Sequence, residues 1–244
     1  GHRDAVFAIL SNIGQTLVMV GAFYVFMNFF RSFGTSMAIR GDFLLYVMSG
    51  IFVFMVHVKA LGAVAGADGP TSAIMQHLPM TTTVSLISAA MSTLYTQVIS
   101  VGAILLGYHL LWTPLEVYQP IGAICMVLLA WFSGISVGVV LLAIKPWFPK
   151  ATGTAQQIYI RFNMFASGKM FVANMMPATM VYFFSWNPLF HIIDQGRGFI
   201  FINYTPLKTN LEYPIIVSIA LLVIGLIGEN QTRKHVSLSW FAGR

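Results

Sequence analysis

Apolar residues in this chain come in long runs rather than in short periodic stretches. Residues 5–30, 43–65, 84–111, 120–144, 158–184 and 214–228 are dominated by Val, Ile, Leu, Phe, Met and Ala, and polar segments separate them. All but the last exceed the ~20 residues an α-helix needs to cross ~30 Å of hydrocarbon, so the pattern predicts six transmembrane helices. The first is long enough to tilt or to extend past the interface.

The connections differ in character. Residues 31–42 and 112–119 predict outer loops, the second carrying an interfacial tryptophan, Trp112. Residues 66–83 form the longest polar stretch of the first half, with Asp68-Gly69-Pro70 as a turn signal, an amphipathic fragment over 71–78 and Pro79 as a breaker. One short helix outside the membrane fits there. Two prolines and two lysines over 145–150 end the fourth span in the manner of a cytoplasmic edge.

Within the spans, polar residues mark exceptions. Lys59 is near enough to a helix end to snorkel to the headgroups and reads as an interface anchor. Ser85, Ser88, Ser92, Thr96 and Ser100 recur at helical spacing on the third span. They provide either close helix packing or a wet wall. Gly134 and Gly138 form a GxxxG that favours a close helix crossing. The fifth run is interrupted by Arg161, Asn163, Lys169 and Asn174 and broken by Pro177. Charges at that depth are expensive unless they face protein or water, which makes Lys169 a candidate functional residue.

Residues 186–204 are too apolar for an ordinary loop and too charged for a span. Asn187 before Pro188 reads as a helix N-cap with proline at the first helical position. On the helix that follows, His191, Asp194 and Arg197 recur every three residues on neighbouring parts of one face, so Asp194 and Arg197 are expected to pair. The segment is expected to be a re-entrant hairpin entering from the outer face. The fold class is therefore an all-α membrane protein: six transmembrane helices with a re-entrant outer helical hairpin between spans five and six. The chain, 1–244, reads as one transmembrane domain with an inner loop at 66–83, an outer re-entrant segment at 178–212 and a cytoplasmic tail at 229–244.

Composition agrees with a membrane protein. Of the 244 residues 57% are hydrophobic and 8% charged, against roughly a quarter charged in soluble domains. The net charge of +6 points away from nucleic acid, because the basic residues are scattered and only Arg233 and Lys234 are adjacent. Arg3, Lys59, Lys145, Lys150, Arg161, Arg233, Lys234 and Arg244 fall on or near the side of both termini, against Arg31, Arg40, Arg197 and Lys208 on the other. Positive-inside bias then puts both termini in the cytoplasm. A lone cysteine, Cys125, excludes an intrachain disulfide and a Cys-based metal site. The first residue is Gly1, and no signal-peptide pattern precedes the first run, so an upstream segment is expected.

Catalytic motifs are missing. At the Gly168-Lys169 pair, Asn163 stands where a phosphate-binding loop needs its first glycine, so ATP is not bound in that way. No HExxH, GxSxG or paired metal-ligand spacing occurs, and His191 with Asp194 is a single i,i+3 pair. No catalytic or metal-ligating residue is expected.

Six spans, a short helix between spans two and three, an interrupted fifth run, and Asn187-Pro188-Leu189 with His191, Asp194 and Arg197 together resemble the ABC-2 type exporter permeases. The resemblance is to the branch that exports capsular polysaccharide, O-antigen or related cell-surface glycans. It covers nearly the whole chain, including a final span that ends in Gly228-Glu229 with Arg233 behind. Asp194 stands where that family more often has glutamate, and Thr81-Thr82-Thr83 stand where it often has an acidic residue. The resemblance implies a homodimer in the inner membrane, docked on two ATP-binding cassette subunits that hold the ATP and Mg, with no cofactor in this chain. The glycan passes along the dimer interface. Arg161, Lys169 and Asn174 are expected on the substrate path, with Phe162, Phe165 and Phe171 offering rings to sugar C–H faces. Trp186, Asn187, His191, Asp194 and Arg197 are expected at the outer gate, and Thr71, Ile74, Met75, Leu78 and Pro79 at the ATPase contact. Two rival functions stand beside this one: an ABC-2 permease for a drug or lipid, and a membrane-embedded transferase using Asp194 or His191 as base and Arg197 on a phosphate.

Overall fold

A computed structural model describes residues 2–31, 42–69 and 81–242, with eight α-helices and no strand among them. In chain order they are α1 (His2–Arg31), α2 (Phe43–Gly66), α3 (Thr82–Leu111), α4 (Pro120–Ile144), α5 (Pro149–Ala166), α6 (Ala178–Phe184), α7 (Pro188–Ile200) and α8 (Glu212–Ala242). Val6–Phe29, Phe43–Gly66, Thr82–Leu111, Pro120–Ile144 and Glu212–Lys234 are long and apolar enough to cross a bilayer, so this is a multi-pass membrane protein. The expected contact residues Thr71, Ile74, Met75, Leu78 and Pro79 lie outside the described residues.

The molecule is built around α2, whose apolar 18-residue stretch is 83% buried, against 22% for the corresponding stretches of α1, α3 and α8. Its neighbours turn Val, Ile and Leu outward, as surfaces that meet lipid must. Aromatic contact of Tyr24 with Phe43 and the hydrogen bond from Lys59 to Gln15 run α1 antiparallel to α2. At the upper end, where α2 and α4 begin, Asp42 accepts from Tyr108 of α3 at 2.6 Å and caps Leu44 at 2.8 Å. The GxxxG expectation holds: a Cβ on Gly134 would sit 2.3 Å from the His57 carbonyl oxygen, and one on Gly138 2.8 Å from Val64 Cβ. Only glycine lets α4 lie this close to α2. On the other face of α4, a Cβ on Gly225 of α8 would meet Val139 Cγ1 at 2.8 Å. The small polar stripe of α3 divides, with Ser100 buried and Ser88 and Ser92 turned outward.

The fifth apolar run is where the structure departs from the expected single span. Pro149 opens α5 at its first turn, nine residues ahead of the run, and the helix stops at Ala166. Gly168 then takes φ +69, a left-handed conformation, and a Cβ there would lie 2.4 Å from the Phe190 ring. After a 3₁₀ turn at Ala173–Met175, α6 and α7 form a hairpin. The last helix also differs: α8 continues past the expected end at 228, with Glu229 and Arg233 paired at 2.9 Å one turn apart.

Candidate functional site

Asn187 joins the two halves of the broken run. Its Oδ1 accepts from Leu189 N–H at 3.1 Å, the predicted N-cap, and its Nδ2 donates to Asn163 Oδ1 and to the Ala166 carbonyl, each at 2.9 Å. The last turn of α5 is thereby tied to the first of α7. From there α7 rises to the upper end, where the Phe199 and Ile200 carbonyls accept from Gln119 and Tyr118 N–H.

Arg197, buried on α7, holds the loop that follows α5. Nη1 donates to the Gly168 carbonyl at 3.1 Å and the Phe171 carbonyl at 2.8 Å, and Nη2 donates to the Lys169 carbonyl. Its guanidinium lies 4.0 Å from the centroid of the Tyr46 ring, and Gly50 leaves room for it, since a Cβ there would be 2.7 Å from Nη2. The expected Asp194–Arg197 pair is not formed. Asp194 instead accepts from Tyr204 Oη and, at 2.8 Å, from Thr209 Oγ1. Chain-distant partners outcompete the i,i+3 neighbour because the Lys169 and Phe171 carbonyls, outside any helix, converge on the guanidinium together with that of Gly168, which also accepts from Phe171 N–H. Burial first, and then the Asp194 carboxylate, push the Tyr204 phenol well above its ordinary range, so it stays a donor.

Lys169 is 2% exposed, and among the described residues its ammonium meets no hydrogen-bond acceptor. It stands on the Phe54 ring, 3.3 Å from the centroid, with Phe23 at 4.9 Å. These rings belong to α2 and α1, whereas Phe162, Phe165 and Phe171, expected to offer their faces to sugar, lie elsewhere. Those three are 47%, 62% and 43% exposed and face outward, with Phe162 5.9 Å from exposed Trp186. Arg161 is exposed on α5. Asn174 works as a loop clamp, donating to the Thr205 carbonyl at 2.8 Å and accepting from Leu207 N–H at 3.1 Å.

His191 accepts from Asn210 N–H at Nδ1, 3.1 Å, so its Nε2 carries the proton donated to the Ser185 carbonyl at 2.7 Å. Gln195 donates to the Thr209 carbonyl at 2.9 Å. Residues 201–211 are thus laced back down along α7. A second buried polar chain joins α2, α4 and α5. Ser133 gives its hydrogen to the Ala130 carbonyl, so His57 Nδ1–H donates to Ser133 Oγ at 2.8 Å and Tyr159 Oη donates to His57 Nε2 at 3.0 Å. The one signal for it was a histidine inside an apolar run. Among the described residues no group of three or more His, Cys, Asp or Glu gathers.

No known family's sequence model matches the chain, and no curated protein matches it significantly.

Proposed function

We propose that this chain is the membrane-spanning subunit of an ABC-2 type exporter of cell-surface glycan, working as a homodimer on two ATP-binding cassette subunits in the inner membrane. The observation that carries the reading is the depth of the polar segment between α7 and α8. His191 is nine residues before Ile200, about 14 Å below the upper end of α7 at 1.5 Å per residue. Asn210 is bonded to it. Exposed Lys208, Asn210 and Glu212 therefore lie beside the apolar upper part of α4, where hydrocarbon would not solvate them. Water or a second copy must cover that face. A homodimer with a wet path between its halves meets this need, and the α6–α7 hairpin, with its tip at Asn187, is then re-entrant from the outer side. On this reading α5 with its loop serves as the fifth crossing, Lys169 and Arg197, buried within the protomer, fix that loop behind the path, and both termini are cytoplasmic.

The test is co-purification with candidate ATP-binding subunits, followed by ATPase assay in vesicles. Lipid-linked glycan is expected to stimulate hydrolysis severalfold. Stimulation by drugs or phospholipids alone would move the substrate to that class, and turnover by the single chain without ATP would overturn the reading in favour of a transferase.

A further inference from the structure

Between α3 and α4 lies a cavity of about 430 Å³ whose lining is almost wholly carbon. Its floor is α2 from Leu45 to Val56, its walls are α3 from Leu94 to Leu105 and α4 from Pro120 to Leu128, and α7 closes it at Gly196. The sequence makes it by spacing. On α2 the lining residues Leu45, Ser49, Phe52 and Val56 follow the three- and four-residue step of one helical face. Ser49 removes its own polarity by donating to the Tyr46 carbonyl at 2.8 Å. Just below, Trp131 Nε1 donates to the Ala90 carbonyl at 2.9 Å and ties α3 to α4. Above that tie the two helices part, each packed on α2, and exposed Val98 and Ile124 form the rim.

We propose that this cavity holds one hydrocarbon chain of a membrane lipid, drawn from the leaflet at the upper end. Two observations select that occupant. From Leu45 to Val56 the floor is about 17 Å long, matching the ~15 Å of a single leaflet, half of ~30 Å of hydrocarbon. Water is disfavoured, because the only polar side chains in the lining are Ser49, bonded to the Tyr46 carbonyl, and Gln97, whose Nε2 is bonded to Asn12 Oδ1, which falls short of the two to four polar partners a buried water needs. A single flexible chain fits both the volume and the open side. The inference rests on the membrane character of the chain and is independent of what it exports.

Photolabelling tests it. The full chain is reconstituted in phosphatidylcholine vesicles carrying phosphatidylcholine with a diazirine midway along one acyl chain, irradiated, and mapped by peptide mass spectrometry. Adducts are expected at cavity positions such as Val101 and Val127 and, as a background, at outward-facing Leu110 and Ile219. Gly102→Phe fills the cavity from α3, where an added Cβ meets nothing within 4 Å. It should lower cavity adducts severalfold and leave the background unchanged, and Ala123→Phe should do the same from the α4 wall if the first variant folds poorly. Equal labelling of cavity positions in wild type and both variants would overturn the proposal. So would cavity positions unlabelled in all of them, the pattern of a groove covered by a second protein chain.

Discussion

Arg197 and Lys169 are both buried cations on the same loop junction, yet they are held by opposite means. The guanidinium spreads over three carbonyls and a ring, whereas the ammonium has rings alone. A desolvated cation–π contact contributes about 2 kcal/mol, less than the several kcal/mol lost when an ammonium leaves water. Lys169 is therefore a destabilising residue. Lys169→Met should raise the thermal midpoint in detergent, with thioether taking the place of ammonium between Phe54 and Phe23. A lowered midpoint would show that the charge has an anionic partner. Arg197→Lys keeps the charge but cannot present two nitrogens to carbonyls of residues 168, 169 and 171, so at least one is left bare. A loss of about 1–3 kcal/mol is expected for one unsatisfied buried group, read from denaturant titration of the purified chain.

At the scale of elements, the α2–α4 crossing depends on the absence of side chains. Gly134→Ala forces a carbon into the His57 carbonyl and should cost at least ~1–3 kcal/mol as overpacking, seen as loss of monodisperse protein on size exclusion. Gly21→Ala on α1, where a Cβ meets nothing within 4 Å, should be silent. The contrast explains what was legible in the sequence. The long apolar helices were, because hydropathy sums over twenty or more residues and no single contact overturns it. Asn187 capping α7 was, because a cap and a first-turn proline are local. The stop of α5 at Ala166 was not: the left-handed turn at Gly168 depends on Phe190 and Arg197, more than twenty residues further along the chain. Nor were Phe23 and Phe54 readable as the surroundings of Lys169, since nothing near Lys169 in sequence marks them. The Asp194–Arg197 pair failed for the same reason, because local spacing cannot see carbonyls arriving from another element.

For the whole molecule, the hydrogen bonds at its two ends fix which segments share a side. Asp42, Tyr108 and Thr113 meet at one end, and Lys145 reaches the Ala65 carbonyl at the other. With the basic end inward, Glu116→Cys in a Cys125→Ser background should react with an impermeant maleimide on intact cells, and Lys150→Cys only after permeabilisation. Reversed labelling would invert the assignment. The uneven distribution of apolarity among the helices also bears on biosynthesis. As the chain leaves the ribosome, α1 to α4 can each partition into lipid on their own. α5 carries Lys150 and Arg161, and α6 has seven residues, so neither stays in a bilayer unaided. The segment from 149 to 211 can meet α2 and α4 as it emerges, but it is not closed until α8 has been made and Tyr213 has reached the Trp186 carbonyl and the His191 ring. A nascent chain cut at residue 205 should leave tags within 150–200 open to added protease in isolated membranes, and the full chain should shield them. Until α8 has been made, the segment that carries the candidate site should be the most protease-sensitive part of the chain, so the last helix to be synthesised is expected to set how much of the protein survives.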